Sequence, residues 1–135
     1  MNSKLVIVTI ATWFLFMILA IINAGLRNSV FKPKFGDLVA HQISTIIFIL
    51  LILFITYSVF RFSNIELSNT ETILIVAIWL ISTIIFEFIA GYFVFGNSWE
   101  KLFADYNILR GKIWSLVLIT LLFAPYISKR LFLIK

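Results

Sequence analysis

The chain of 135 residues contains no cysteine. That excludes a disulfide framework, a thiolate zinc site, an iron–sulfur cluster and a cysteine nucleophile. Charge is scarce too. Asp, Glu, Lys and Arg make up 13% of the chain, about half the ~25% of an ordinary soluble domain. Disorder needs the opposite balance, low hydrophobicity with high charge. There is one histidine, and a lone imidazole with one or two carboxylates is a poor metal site, so no metal and no cofactor are expected. What the chain has in abundance is apolar surface. Hydrophobic residues reach 62%, and mean hydropathy is +1.10. A soluble globule of this length would leave much of that surface in water. The expected class is therefore an all-α polytopic membrane protein.

A helix crossing a bilayer needs about 20 mostly apolar residues. Leu5–Ala24 is a charge-free run of 20, Ile43–Phe60 one of 18, and Thr72–Phe95 holds 24 residues with Glu87 as its one charge. A fourth run of 16 uncharged residues lies between Lys112 and Lys129. At ~1.5 Å per residue it falls short of a ~30 Å core, so this span must begin near Asn107 and take in Arg110 and Lys112. Pro125 is expected to bend it. These runs predict a bundle of four transmembrane helices over about 4–25, 38–61, 70–96 and 106–128, in one domain. The first run is too long for a signal-peptide core and is read as retained.

Local signals divide the chain the same way. Lys32–Asp37 reads as a turn, with Asp37 as a cap for the second span. Ser68-Asn69-Thr70-Glu71 has the form of a capping box. Asn97-Ser98-Trp99-Glu100 repeats that logic and predicts a short helix in the third loop. There Trp99, Leu102, Phe103 and Tyr106 share a face, the pattern of a helix lying in the membrane interface.

Four spans put both termini and the second loop on one side. That side carries five Lys or Arg residues and the other carries six, so the positive-inside rule hardly decides orientation. The compact basic tail of Lys129, Arg130 and Lys135 favours cytoplasmic termini. The formal net charge of +5 implies anchoring to anionic lipid headgroups. Nucleic acid is not an expected partner, because no basic stripe exists away from the membrane flanks.

Polar chemistry gathers on the side of the first and third loops. Asn23 and Arg27, spaced i, i+4, end the first span there. His41 and Gln42 open the second. Glu87 and Tyr92 approach that side on the third, and Asp105, Asn107, Arg110 and Trp114 follow. Glu87 is the strongest signal. It lies nine residues before Gly96, about 13 Å below that helix end, where a carboxylate costs roughly 2.5–3.5 kcal/mol on insertion scales. It shares a stripe with Thr83, Gly91 and Ser98, which suits close helix packing. These residues are the candidate ligand or ion site, and no catalytic set is assigned. The competing view is structural: Glu87 with Arg110 or Arg27 as a buried pair that fixes register, Asn23 as interhelical glue, and Trp99 as a belt residue.

Phe86-Glu87-Phe88 with Gly91, Ser98-Trp99-Glu100, Asp105–Gly111 with Trp114, and Ala124-Pro125 together resemble a group of small uncharacterised bacterial four-span integral membrane proteins. The resemblance covers mainly the second half of the chain. It implies a bundle fold in a prokaryotic cytoplasmic membrane and carries no activity. Three functions stay open. The first is binding or passage of a small polar or anionic molecule or a proton, with a homo-oligomer supplying any pore. The second is an accessory or lipid-binding subunit of a larger membrane complex. The third is an intramembrane enzyme on a lipid-linked substrate, with His41, Glu87, Glu100 and Asp105 as acid–base groups. It ranks last, because no nucleophile stands out.

Overall fold

The computed structural model describes residues 3–65, 67–94, 96–104 and 115–133, and among them every regular element is helical. Helix α1 (Ser3–Leu26) runs on through a π-helical stretch (Arg27–Phe31) into α2 (Lys32–Phe35). Helix α3 is Asp37–Phe62 and α4 is Asn69–Ile89, the latter followed by a second π-helical stretch, Ala90–Val94. Helix α5 is Trp99–Ala104 and α6 is Ser115–Leu133. Three continuous helices, Ser3–Phe35, Asp37–Phe62 and Asn69–Phe93, are long and apolar enough to cross a membrane. Residues 106–114 of the expected fourth span lie outside the described residues. The described part, α6, continues through Pro125 to Leu133.

The turn expected over Lys32–Asp37 is tighter than its composition suggests. Lys32–Phe35 stays helical, and Pro33, which has no N–H to give the preceding turn, comes two residues after the wider π-helical stretch Arg27–Phe31. The whole reversal falls on Gly36, whose φ of 84° suits a residue without Cβ. Asp37 is not the cap. Gly36 occupies that position without a side-chain cap bond, and the Asp37 carboxylate instead faces Lys32 Nζ at 3.4 Å. Both side chains are exposed, so this pair contributes little. At the start of α4 the capping box forms as expected: Ser68 Oγ accepts from Glu71 N at 3.2 Å, and Ser68 N donates to Glu71 Oε1 at 3.2 Å.

A few hydrogen bonds fix how the helices run. Asn23 Nδ2 donates to the Ser44 carbonyl at 2.7 Å, and Lys4 Nζ to the Ser63 carbonyl at 2.7 Å. These set α1 and α3 antiparallel. Trp79 Nε1 donates to the Thr9 carbonyl, and Trp13 Nε1 to Thr83 Oγ1, each at 3.1 Å. The constant offset makes α1 and α4 parallel. Lys129 Nζ donates to Asn69 Oδ1 at 2.9 Å, so α6 runs back along α4. In space α1 lies beside α3, α3 beside α6, and α6 beside α4, while α4 returns to α1 over a shorter contact.

The core is apolar at its centre and lined with hydroxyls. Trp79 is fully buried and meets Phe16 edge to face at 5.1 Å, with Phe48, Ile52, Ile75 and Leu121 around it. Thr9, Thr45, Thr56, Thr72 and Thr83 are all fully buried. The outer faces carry large apolar side chains too: Ile7 is 66% exposed, Phe54 70% and Ile81 59%. Large apolar side chains therefore stand both inside and outside, with small hydroxyls among the buried ones, the pattern of helices that are hydrophobic all round.

Candidate functional site

Helices α1 and α4 touch low in the bundle, at the Thr9–Trp79 and Trp13–Thr83 hydrogen bonds. Towards the Gly36 end a cavity of about 130 Å³ lies beside them, with room for several waters. From α1 it is lined by Met17, Ala20, Ile21, Asn23, Ala24 and Arg27, the i, i+3, i+4, i+7 stripe of one helical face. From α3 come His41 and Phe48, and from α4 Phe86, Glu87 and Phe88. Ala90, Gly91, Asn97 and Leu102 complete the wall.

Of the residues expected to form the site, Asn23, Arg27, His41 and Glu87 all stand in this wall. Asn23 and His41 are buried, whereas Arg27 and Glu87 are half-buried. The Asn23 amide does two jobs, since it both lines the cavity and bonds α1 to α3. The His41 carbonyl accepts from Ser44 Oγ at 3.1 Å and Thr45 Oγ1 at 2.7 Å, which ties down the first turns of α3. Two expected members stand elsewhere. Gln42 is half-buried but off the wall, being ~100° round α3 from His41. Tyr92 is 40% exposed and stacks on Trp99 at 4.8 Å instead. Asp105, Asn107, Arg110 and Trp114 lie outside the described residues.

The offset between α1 and α4 gives the cavity its polarity. Thr9 pairs with Trp79 and Trp13 with Thr83, so Glu87 is level with Met17. Arg27 stands ten residues beyond Met17, about 15 Å along the axis. The carboxylate is thus further from the Gly36 end than the guanidinium. The two carboxamides, Asn23 and Asn97, also belong to the wall.

Both π-helical stretches border this cavity. Arg27 opens the first, and Ala90 and Gly91 open the second. The wider turn is rare in proteins and recurs at functional sites. Beyond the second stretch α5 folds back on α4. Its cap is Ser98, whose Oγ accepts from Lys101 N at 3.2 Å, while Asn97 Oδ1 accepts from Lys101 Nζ at 3.2 Å. Leu102 packs onto Gly91, where an added Cβ would lie 2.5 Å from a Leu102 methyl. Trp99 stacks on Phe88 at 5.9 Å as well as on Tyr92, and Phe103 meets Phe88 at 5.2 Å. The small residue at Gly91 therefore serves close packing, as its stripe with Glu87 suggested.

Asn97 and the apolar wall were not anticipated from sequence. The flanking pair Phe86 and Phe88 was the available signal, because aromatic neighbours on both sides of an in-span carboxylate place rings beside it in either rotation. Compared with protein-family models, curated proteins and solved structures, the chain matches none.

Proposed function

We propose that the chain is a four-span membrane protein, with α6 as its fourth crossing, and that the cavity binds or passes a small polar solute or a proton. Several features support this reading. The three long helices have membrane-crossing length and apolarity. The helices are hydrophobic all round, with small hydroxyls among their buried residues, which is the pattern of a membrane span. The α6 end at Lys129 meets the α4 start at Asn69, which is the geometry of a fourth antiparallel crossing. A single observation carries the functional part: Glu87, six residues inside the end of the helix Asn69–Phe93, shares one cavity wall with Arg27, His41 and Asn23. An ionisable side chain at membrane depth is expensive, and here it borders a space able to hold water.

The setting is the cytoplasmic membrane of a prokaryote, with anionic headgroups held by the basic flanks. A single bundle of this size has little lumen, so a homo-oligomer would complete a pore. The test is flux in liposomes. Wild type should pass protons or a small solute down an imposed gradient, and Glu87→Gln should lower that flux by at least about tenfold, which is 1.4 kcal/mol at the limiting step. Unchanged flux in Glu87→Gln would remove Glu87 from the pathway. The accessory reading draws on one observation of its own, the aromatic platform of Phe88, Tyr92, Trp99 and Phe103. Trp99 is 48% exposed and Phe103 64%, which suits a headgroup-level anchor or a docking helix of a larger complex.

A further inference from the structure

We propose that the middle of the bundle holds a second polar site, a layer of hydroxyls that binds water and relays protons from the cavity. This rests on the reading of the cavity as a solute or proton site, and it names the proton as the species that goes beyond it. Helix register brings the hydroxyls together. Thr9 is opposite Trp79, and Trp13 is opposite Thr83. Asn23 opposite Ser44 and Lys4 opposite Ser63 bring Thr56 level with Ala11. Lys129 opposite Asn69 brings Ser115 level with Thr83. Each of α1, α3, α4 and α6 thus delivers a hydroxyl to one layer, about 6 Å thick along the axis. Thr9, Thr56 and Thr83 are fully buried, and the Ser115 Oγ is buried with them.

The hydroxyls of this layer are not satisfied as their neighbours are. Thr45, Thr72 and Thr120 each donate to the carbonyl four residues back, at 2.7, 2.8 and 2.7 Å, the local bond of a helical threonine. Thr9 and Thr56 leave that bond unmade. Their Oγ1 atoms, like the Ser115 Oγ, have no hydrogen-bond partner among the described residues. A buried hydroxyl without a partner is costly, and water, which bonds two to four polar groups, satisfies several at one level. No charged side chain stands at this level among the described residues, so the layer suits a neutral ligand and not a cation.

The layer adjoins the cavity. The cavity wall ends at Met17 and Phe86, about one turn from Trp13 and Thr83. Trp13 joins the two: its ring meets Phe86 edge to face at 5.9 Å, and its Nε1–H donates to Thr83 Oγ1. A hydroxyl that accepts one bond keeps its own proton to donate. The layer is packed around Trp79 and Phe16, so a solute stops at the cavity floor while a proton continues. Each water takes a proton on a lone pair and releases another, which leaves the layer unchanged.

Two measurements on the full chain in liposomes test this. In water-edited solid-state NMR, the Thr9 and Thr56 signals, assigned by their loss in Thr9→Val and Thr56→Val, should receive magnetisation from water. Absence of that transfer overturns the water site. Under an imposed pH gradient, the Thr9→Val/Thr56→Val pair should lower proton flux at least about tenfold. Thr56→Ser, which keeps the hydroxyl, and Thr120→Val, which lies off the layer, should match wild type, and glycerol should not pass. All variants should keep the wild-type thermal midpoint in detergent; a midpoint raised by the Val pair would mean dry hydroxyls and overturn the site. Unchanged proton flux in the Val pair, with flux lowered by Glu87→Gln, overturns the relay and leaves the cavity reading standing. Unchanged flux in both overturns both. Glycerol passing as readily as protons overturns the relay as well.

Discussion

Gly91 shows what one missing side chain does here. It is buried in the second π-helical stretch, and a Cβ there would stand 2.5 Å from one Leu102 methyl, with the other methyl and Cγ at 3.6 Å. The close atom is the far end of a flexible side chain, so Gly91→Ala can be relieved by turning Leu102. Ala also gains up to about 1 kcal/mol over Gly in helical backbone. The two effects should leave Gly91→Ala within about 1 kcal/mol of wild type. Gly91→Val has a second branch that one rotamer change cannot clear. It should lift α5 off α4 and break the Trp99–Tyr92 stack. Tryptophan emission reports this: Val should shift it and Ala should not, and the shift should vanish in a Trp99→Phe background. A Val variant with wild-type emission would show that α5 does not depend on this contact.

At the scale of the element, the helix starts obey local chemistry and the cavity does not. The capping box at Ser68 is complete within four residues, so it is legible before any tertiary contact forms. Ser68→Ala should cost about 1 kcal/mol, read as a lower thermal midpoint in detergent, while Thr70→Ala on the exposed side of the same turn should leave the midpoint unchanged. Equal effects from both would place the stabilisation elsewhere. The start of α5 was legible to within one residue, because Asn97 and Ser98 can both cap and only the fold assigns Asn97 to Lys101 and to the cavity. Asn23, Arg27, His41 and Glu87 were legible as a group, since a polar residue deep in an apolar helix turns inward on energetic grounds. Tyr92 was misplaced for a specific reason. It was grouped with Glu87 by its level along the helix, whereas at ~100° per residue it stands about 140° round from Glu87, and it stacks on Trp99. Gln42 was misplaced because two adjacent polar residues look alike to periodicity, and packing alone chose His41.

The topology of the whole molecule rests on a small set of hydrogen bonds, and the absence of cysteine makes it testable. Lys4 reaches Ser63 and Lys129 reaches Asn69, so the start of α1, the end of α3, the start of α4 and the end of α6 share one end of the bundle. The reversal at Gly36 and helix α5 occupy the other. Among the described residues Lys and Arg are split four to four between these ends, so charge leaves the absolute orientation open, yet the relation between the ends is fixed. With no native thiol to remove, single cysteines can be placed at will. Asn64→Cys and Lys129→Cys should react with a membrane-impermeant maleimide from the same side of a sealed vesicle. Lys34→Cys and Glu100→Cys should react only from the opposite side. All four positions sit at or beyond the ends of the apolar runs, so access differs by side and not by depth. Lys129→Cys reacting with Lys34→Cys instead of Asn64→Cys would mean that α6 does not complete a fourth crossing. The short apolar run before Lys129 makes this the most demanding of the four positions, and it is the one that decides between three crossings and four.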